Sequence, residues 1–108
     1  MLLRSEVGQS KARLTAELMK DGKGYKLRVT NVSTVPACNV SVRTISADHD
    51  PLIDSEKQSK LPWPRLDPGA SFTLIAVIYL SSPTAFNMGL TWSDPDGTVV
   101  EEEAFVAL

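Results

Sequence analysis

The single histidine of this 108-residue chain, His49, is the first side chain that could do acid–base or metal chemistry. It lies between Asp48 and Asp50, where a carboxylate could orient it as a general base or the three could share a metal ion. It also precedes Pro51 in a segment typical of a loop, and a metal site would need ligands from elsewhere in the chain. We therefore interpret His49 as a solvated loop histidine.

The run Asp94-Pro95-Asp96-Gly97 resembles the start of a calcium loop, in which alternate carboxylates and a glycine turn surround the ion. A complete EF-hand loop would also need a ligand at the fifth position and a glutamate at the twelfth, between two helices. The glutamates at positions 101–103 cannot all converge from a strand, because alternate side chains face opposite ways. The sequence favours a hairpin turn followed by an acidic strand.

Two further residues have a functional and a structural interpretation. Cys38 is the only cysteine, so the chain can form no intramolecular disulfide and has no cysteine cluster for zinc; we interpret it as a small buried apolar residue. Trp63 lies between two prolines and could present a platform for a sugar ring. Carbohydrate-binding sandwiches usually align several aromatic residues, so we favour a tryptophan that closes one end of the fold. The sequence predicts neither an enzyme nor a cofactor.

The charges are nearly balanced but segregated along the chain. Eleven basic and thirteen acidic residues give a net charge of −2, which argues against a nucleic-acid binder recruited by bulk charge. Residues 1–30 hold seven of the eleven Lys and Arg, whereas residues 94–108 hold five carboxylates and no base. If the chain forms a β-sandwich, its first and last strands can lie close together at one edge, as they do in immunoglobulin domains. We therefore predict that the basic first hairpin pairs with the acidic last strand.

Alternation of apolar and polar residues between turn sequences indicates the elements that position these groups. The predicted strands cover residues 11–19, 25–30, 39–43, 52–60, 72–80, 86–92 and 98–106, of which 52–60 is at most a short edge strand. The prolines at 62 and 64 exclude residues 61–64 from a central strand. The pattern predicts an all-β antiparallel β-sandwich of about seven strands over residues 11–108, with no disulfide, after a tail or linker at residues 1–10.

The fifth predicted strand is apolar on both faces, whereas a sandwich strand normally has one polar face. Ile75, Val77 and Tyr79 form its second face, opposite a face that runs from Phe72 to Leu80. Either a loop such as residues 61–64 covers this second face, or it is an exposed stripe used for association. Our hypothesis is that Ile75, Val77 and Tyr79 contribute to an interface with a protein partner or a second copy. The apolar run at 74–80 is too short to span a membrane.

The strand and turn sequences also resemble a known family. These are Leu27-Arg28-Val29-Thr30-Asn31, Pro36-Ala37-Cys38-Asn39-Val40-Ser41-Val42, Leu66-Asp67-Pro68-Gly69 and Leu90-Thr91-Trp92-Ser93-Asp94-Pro95-Asp96-Gly97. They are similar to bacterial immunoglobulin-like sandwich domains related to the CARDB cell-adhesion group, some of which follow a membrane helix. The resemblance implies that the predicted β-sandwich over residues 11–108 is immunoglobulin-like, and it supplies no catalytic residues.

From the residues and the resemblance together, we expect a non-catalytic protein-interaction, spacer or accessory module of a larger bacterial protein. Such a module would be a soluble segment, either cytoplasmic or attached to a membrane-anchored parent protein. The alternative is a ligand-binding module for carbohydrate, through Trp63, or for calcium, through Asp94 and Asp96.

Overall fold

The computed structural model of the chain describes residues 11–45, 49–81 and 83–108, so the predicted tail at residues 1–10 lies outside the described residues. The described residues form strands and one helix in the following order: β1 (Leu14–Asp21), β2 (Gly24–Asn31), β3 (Ala37–Ile45), α1 (Asp54–Lys60), β4 (Trp63–Leu66), β5 (Ser71–Ala76), β6 (Ala85–Ser93) and β7 (Val99–Ala107).

Two antiparallel sheets pack face to face, one with the strand order β1-β2-β5 and the other with the order β4-β3-β6-β7. The alternating apolar residues of both sheets point inward and form one core. Its fully buried members include Leu27, Val29 and Leu74 from the three-stranded sheet and Val40, Leu90 and Trp92 from the four-stranded sheet. The predicted all-β sandwich of about seven antiparallel strands without a disulfide is confirmed. Cys38 is a free thiol but is only half-buried, so its interpretation as a buried residue holds only in part.

The first and last hairpins follow the sequence pattern closely. β1 pairs with β2 across a two-residue turn in which Asp21 lies opposite Gly24 and Gly22 has a φ of 61°. Glycine adopts this left-handed conformation without steric strain. In the turn between β6 and β7, the N–H of Asp94 donates to the carbonyl oxygen of Thr98 at 2.8 Å. Both hairpins were predictable because alternation and turn chemistry are local properties of the chain.

Residues 54–60 form the helix α1, so the short edge strand predicted within residues 52–60 was wrong. Acidic residues occupy the first turn and lysines the last, which complements the helix dipole. Ion pairs at helical spacing join Lys57 to Asp54 at 3.3 Å and Lys60 to Glu56 at 3.2 Å. No residue of α1 is buried, so the helix has no apolar stripe from which a sequence pattern could reveal it.

The fourth and fifth strands also differ from the prediction. β4 begins at Trp63 and lies at a sheet edge beside β3, in agreement with the exclusion of residues 61–64 from a central strand. β5 ends at Ala76 instead of Leu80, because its partner β2 begins at Gly24 and Ala76 already lies opposite Tyr25. Beyond Ala76 strand alternation no longer determines side-chain direction. Leu80, which we assigned to the same face as Phe72, is consequently fully exposed.

The fully buried side chain of Asn31 joins the β2–β3 connection to the end of β4. Its amide nitrogen donates to the carbonyl oxygens of Val35 at 2.8 Å and Leu66 at 2.9 Å. Its amide oxygen accepts from the backbone N–H and the hydroxyl of Ser33, at 2.9 and 2.6 Å. The side chain therefore uses both donor hydrogens and both acceptor positions, as a buried amide must to offset its desolvation.

The predicted proximity of basic and acidic residues is present, because β1 and β7 lie next to each other and Lys11 and Arg13, just before β1, line a cleft with Glu102. Within the described ranges, however, the ion pairs of the first hairpin are internal to it. One joins residues directly opposite each other in the β1–β2 register and the other joins diagonal neighbours. The pairs concerned are Arg28–Glu17 and Lys26–Asp21 in the first hairpin, and Arg43–Glu101 between β3 and β7.

Candidate functional site

The apolar residues that follow β5 lie at one end of the three-stranded sheet. Ile75 is 45% exposed and lies near the end of β5, on the side opposite the buried Leu74 and Ala76. After Ala76 the chain leaves β2, and the N–H of Val77 donates to the carbonyl oxygen of Pro51 at 2.8 Å. This hydrogen bond turns residues 77–80 towards the segment that precedes α1.

Two adjoining clefts place the three predicted interface residues on one surface. The first has a volume of about 430 Å³ and is lined in part by Ile75 and Val77. The second has a volume of about 300 Å³ and is lined in part by Tyr79. Lys23, Tyr25 and Ile78 line both clefts and connect them. We call this surface the apolar end and define it as Tyr25, Ile75, Val77, Ile78, Tyr79, Leu80 and Leu108.

Sequence reasoning missed several members of the apolar end. Tyr25 alternates with Leu27 and Val29, so the sequence assigned it to the core, but it lies at the sheet end and is half-buried. Leu80 and Leu108 are both exposed and line the second cleft. The exposure of Leu80 follows from its position past the last residue of β5 that pairs with β2. That position can be recognised only when the register of the β2–β5 pair is known.

His49 lies in a loop, as predicted, but its side chain packs against the apolar end instead of being solvated. Its ring is half-buried, and its Nε2 lies 2.8 Å from the carbonyl oxygen of Val77. Because a carbonyl oxygen only accepts, this contact requires the proton on Nε2. The ring centroid lies 5.4 Å from that of Tyr79 and 6.5 Å from that of Phe86. The histidine therefore fixes the direction of residues 77–79.

Asp50 anchors the segment between His49 and α1. Its carboxylate accepts from the Thr44 hydroxyl at 2.8 Å and from the Leu52 N–H at 3.0 Å, and it contacts the Lys57 ammonium at 3.0 Å. Partial burial opposes ionisation, but these three hydrogen bonds outweigh it and hold the pKa of Asp50 below its ordinary value. The hydrogen bond to Asp50 in turn raises the pKa of Lys57. The carboxylate of Asp50 thus holds the segment before α1 in place.

The free edge of β5 is covered by side chains of α1. Glu56 accepts from the N–H of Ile75 at 2.9 Å, and Lys60 donates to the carbonyl oxygen of Thr73 at 3.0 Å. The Ile75 hydrogen bond lowers the pKa of Glu56. For the second face, the sequence left open a covering loop or an exposed stripe, and Ile75 and Tyr79 are exposed there.

The residues proposed for calcium or sugar binding serve the fold. Asp94 is buried, and its Oδ1 accepts from the Ala12 N–H at 2.9 Å and the Trp92 indole N–H at 3.2 Å. Asp96 accepts from the Thr98 N–H at 2.9 Å, which lowers its pKa. The ring of Trp63 is stacked on that of Phe72 in β5, with 4.8 Å between the ring centroids and an interplanar angle of 5°. This face of the tryptophan therefore closes one side of the sandwich.

In the described part of the chain, no group of three or more His, Cys, Asp or Glu side chains is arranged to hold a metal ion. Among the same residues, no helix has the length and apolar character needed to cross a membrane. A comparison of the sequence with protein-family models and with curated proteins finds no match.

Proposed function

We propose that this chain is a non-catalytic, immunoglobulin-like protein-interaction module of a larger bacterial protein, and that the apolar end contacts a second copy of the chain. The strand arrangement supports the immunoglobulin-like assignment. The first, second and fifth strands share one sheet and the third, sixth and seventh share the other, as in immunoglobulin domains, while β4 pairs with β3. The bacterial origin rests on the sequence resemblance.

The observation that carries the proposal is the contiguous exposure of apolar side chains on a fixed backbone. Ile75 is 45% exposed, Tyr79 is 62% exposed and Leu80 is fully exposed, all within six residues of the chain. Isolated exposed apolar residues are ordinary, but contiguous patches mark association surfaces. Hydrogen bonds at Val77 and the packing of His49 hold this backbone in place, which reduces the ordering cost of association.

The charges around the apolar end favour a second copy as its partner. Asp21, Lys23 and Lys26 line the first cleft beside Ile75 and Val77. A two-fold axis through the patch places each apolar surface on its equivalent and brings residues of both signs to the rim. Such a rim can be self-complementary, whereas a rim of one sign would repel its own copy.

The hydrogen bonds of the side chains that could do acid–base or metal chemistry support a non-catalytic role. His49 holds a backbone carbonyl, Asp50 holds Lys57 and a backbone N–H, and Asp94 holds an indole and a backbone N–H. Each of these contacts holds a side chain or a backbone segment in place, so all three groups have a structural role that needs no substrate.

Light scattering over a range of concentrations tests the proposal. We expect the wild-type mass to rise from 11.8 kDa towards twice that value. Ile75→Asp and Leu80→Asp each place a charge in the patch and should remove the rise. Val32→Asp is the matched control, because Val32 is 55% exposed on the β2–β3 connection and should leave association unchanged. A wild type that stays monomeric at high concentration would overturn the proposed self-association.

A further inference from the structure

The last strand, β7, exposes a row of backbone hydrogen-bonding groups. It pairs with β6 on one side only, in a continuous antiparallel register. Backbone bonds at Asp94–Thr98 and at Thr84–Leu108 flank this ladder and fix which residues face β6. Bonded and non-bonded pairs alternate in an antiparallel ladder. The residues whose N–H and C=O groups face away from β6 are therefore Val99, Glu101, Glu103, Phe105 and Ala107.

The two edges on the other side of the sandwich are closed to an added strand. Glu56 and Lys60 of α1 occupy the N–H of Ile75 and the carbonyl of Thr73 at the edge of β5. β4 has only four residues, one of which is Pro64 and lacks an N–H. β7 has nine residues and no proline. β1 lies next to β7, but within the ranges that the structure describes no backbone hydrogen bond joins the two strands, and no side chain bonds to the outward groups of β7.

The negative charge of β7 disfavours pairing with a second copy of β7 and favours pairing with a basic strand. Glu101, Glu102 and Glu103 are all exposed. An antiparallel pair formed by β7 with its own copy, centred on Glu102, would place these glutamates opposite one another, which is destabilising. A strand that carries lysine or arginine would instead gain favourable cross-strand pairs. The edge therefore selects against self-pairing and in favour of a basic segment.

The alternation of β7 also specifies the spacing of the basic residues. Glu101, Glu103 and Phe105 share the outer face of the four-stranded sheet, and Phe105 is 70% exposed. Glu102 points the other way and lines a cleft that also contains Lys11 and Arg13, so basic residues already surround it. On the outer face of the described structure, Arg43 approaches only Glu101, at 3.8 Å and at the exposed surface. A partner that runs antiparallel to β7 should thus carry an apolar residue opposite Phe105 and, two and four positions later, basic residues opposite Glu103 and Glu101.

We propose that the edge of β7 binds an extended segment of another protein by strand addition, and that the segment carries alternate basic residues opposite Glu101 and Glu103. Its backbone would bond to the outward N–H and C=O groups, and its apolar residue would pack on Phe105. This mode of recognition obtains affinity from main-chain bonds and specificity from alternate side chains. It uses a surface separate from the apolar end and does not depend on self-association there.

The test uses the whole chain and a synthetic peptide of nine residues, the length of β7, in which the first positions are valine and lysine then alternates with threonine, the order that an antiparallel strand needs. Two matched peptides serve as controls: one has glutamate in place of lysine, and the other has the same composition with its lysines contiguous. Binding is measured by titration calorimetry, and hydrogen exchange of individual amides is followed by NMR. We expect only the alternating basic peptide to slow the exchange of the Glu101, Glu103 and Phe105 amides.

Three variants separate strand addition from simple attraction between charges. Glu103→Pro removes an outward N–H and leaves the ladder with β6 intact, because the N–H of residue 103 faces away from β6. Glu103→Gln removes the same charge but keeps the N–H, so the difference between the two variants reports the backbone hydrogen bond. We expect Glu103→Pro to bind about fivefold to tenfold more weakly than Glu103→Gln, the loss typical of one backbone hydrogen bond. The double variant Glu101→Gln and Glu103→Gln keeps the backbone and should weaken binding and reduce its dependence on salt.

Three results would overturn the proposal. One is failure of the alternating peptide to bind, another is equal binding of the contiguous-lysine peptide, and the third is binding without protection of the outward amides of β7. The amide measurement on the wild type keeps the test decisive even if the proline variant fails to fold. Circular dichroism of each variant shows whether the fold is retained, and loss of self-association in Ile75→Asp should leave peptide binding unchanged.

Discussion

Replacement of Asn31 by aspartate is the sharpest test of the hydrogen-bond network that joins the β2–β3 connection to β4. The side chain is fully buried, and its nitrogen donates to two backbone carbonyl oxygens, those of Val35 and Leu66. Aspartate has nearly the same shape and can still accept from Ser33. It replaces the two donated hydrogen bonds with a carboxylate oxygen that faces two carbonyl oxygens.

The magnitude follows from this exchange. Two lost hydrogen bonds cost about 1–3 kcal/mol, and an unpaired buried charge adds at least as much, so we expect a loss of about 3–5 kcal/mol at pH 7. Since domains of this size have total stabilities of about 5–15 kcal/mol, the effect is a large fraction of the whole. The melting temperature should fall by roughly 10–25 °C.

The loss should also depend on pH in a definite direction. Burial raises the pKa of the new carboxyl in the folded state above its unfolded value, because the neutral form avoids the desolvation cost and can donate to one of the two carbonyls. The native state then binds more protons than the unfolded state, so stability relative to wild type recovers as the pH falls and is lost as the pH rises through the folded pKa.

Urea denaturation followed by tryptophan fluorescence and by circular dichroism, at several pH values, measures these effects. Asn87→Asp is the matched control, because Asn87 is exposed on the outer face of β6 and the same chemical change there should cost little. If Asn31→Asp were as stable as Asn87→Asp at pH 7, the proposed role of the buried amide would be refuted.

Three further predictions concern other contacts of the fold. Asp94→Ala removes the acceptor for Ala12 and for the Trp92 indole and should destabilise the fold by about 2–3 kcal/mol in urea titrations, whereas Asp94→Asn, which keeps the oxygen, should cost less than half of that. Gly89→Ala should change the melting temperature by only a few degrees, because the new methyl group would lie 3.3 Å from the flexible, exposed side chain of Arg43, which can move aside; a loss above about 2 kcal/mol would show that the site is rigid. Glu56→Ala should make the stability of the fold less sensitive to acid. The pKa of Glu56 is lowered in the folded state, so its contribution to stability is present above the unfolded pKa near 4.5 and is lost as the pH falls through the folded pKa. In urea titrations at descending pH, the free energy of unfolding should therefore fall less steeply with pH for the variant than for wild type.

The parts of the fold that the sequence predicts well are those determined by neighbouring residues. The first hairpin could be predicted because Asp21, Gly22 and Gly24 supply turn chemistry between two runs of alternating residues. The turn at residues 94–97 has the same basis. In both cases the register is set by the turn itself, so no distant contact is needed to fix it.

The elements that the prediction missed depend on distant parts of the chain. The helix α1 has no buried face, and its contacts with β5 are hydrogen bonds from side chains 13 and 19 residues away in sequence. The end of β5 is fixed by the length of β2. The position of His49 depends on Val77, 28 residues further along. The apolar composition near Ile75 and Tyr79 could be read from the sequence, but not the exposure of Leu80 beside them.

The contacts between α1 and β5 also imply that the stability of the domain is unequal from place to place. A seven-residue helix with no buried residue is too short to persist alone in water, so it can unfold while the sandwich stays folded. Such a local opening releases Glu56 and Lys60 from β5 and exposes the N–H of Ile75 to solvent. The amide of Leu27, in the central strand of the same sheet, can exchange only through a much larger opening. The edge of β5 is therefore protected for only as long as this helix remains folded.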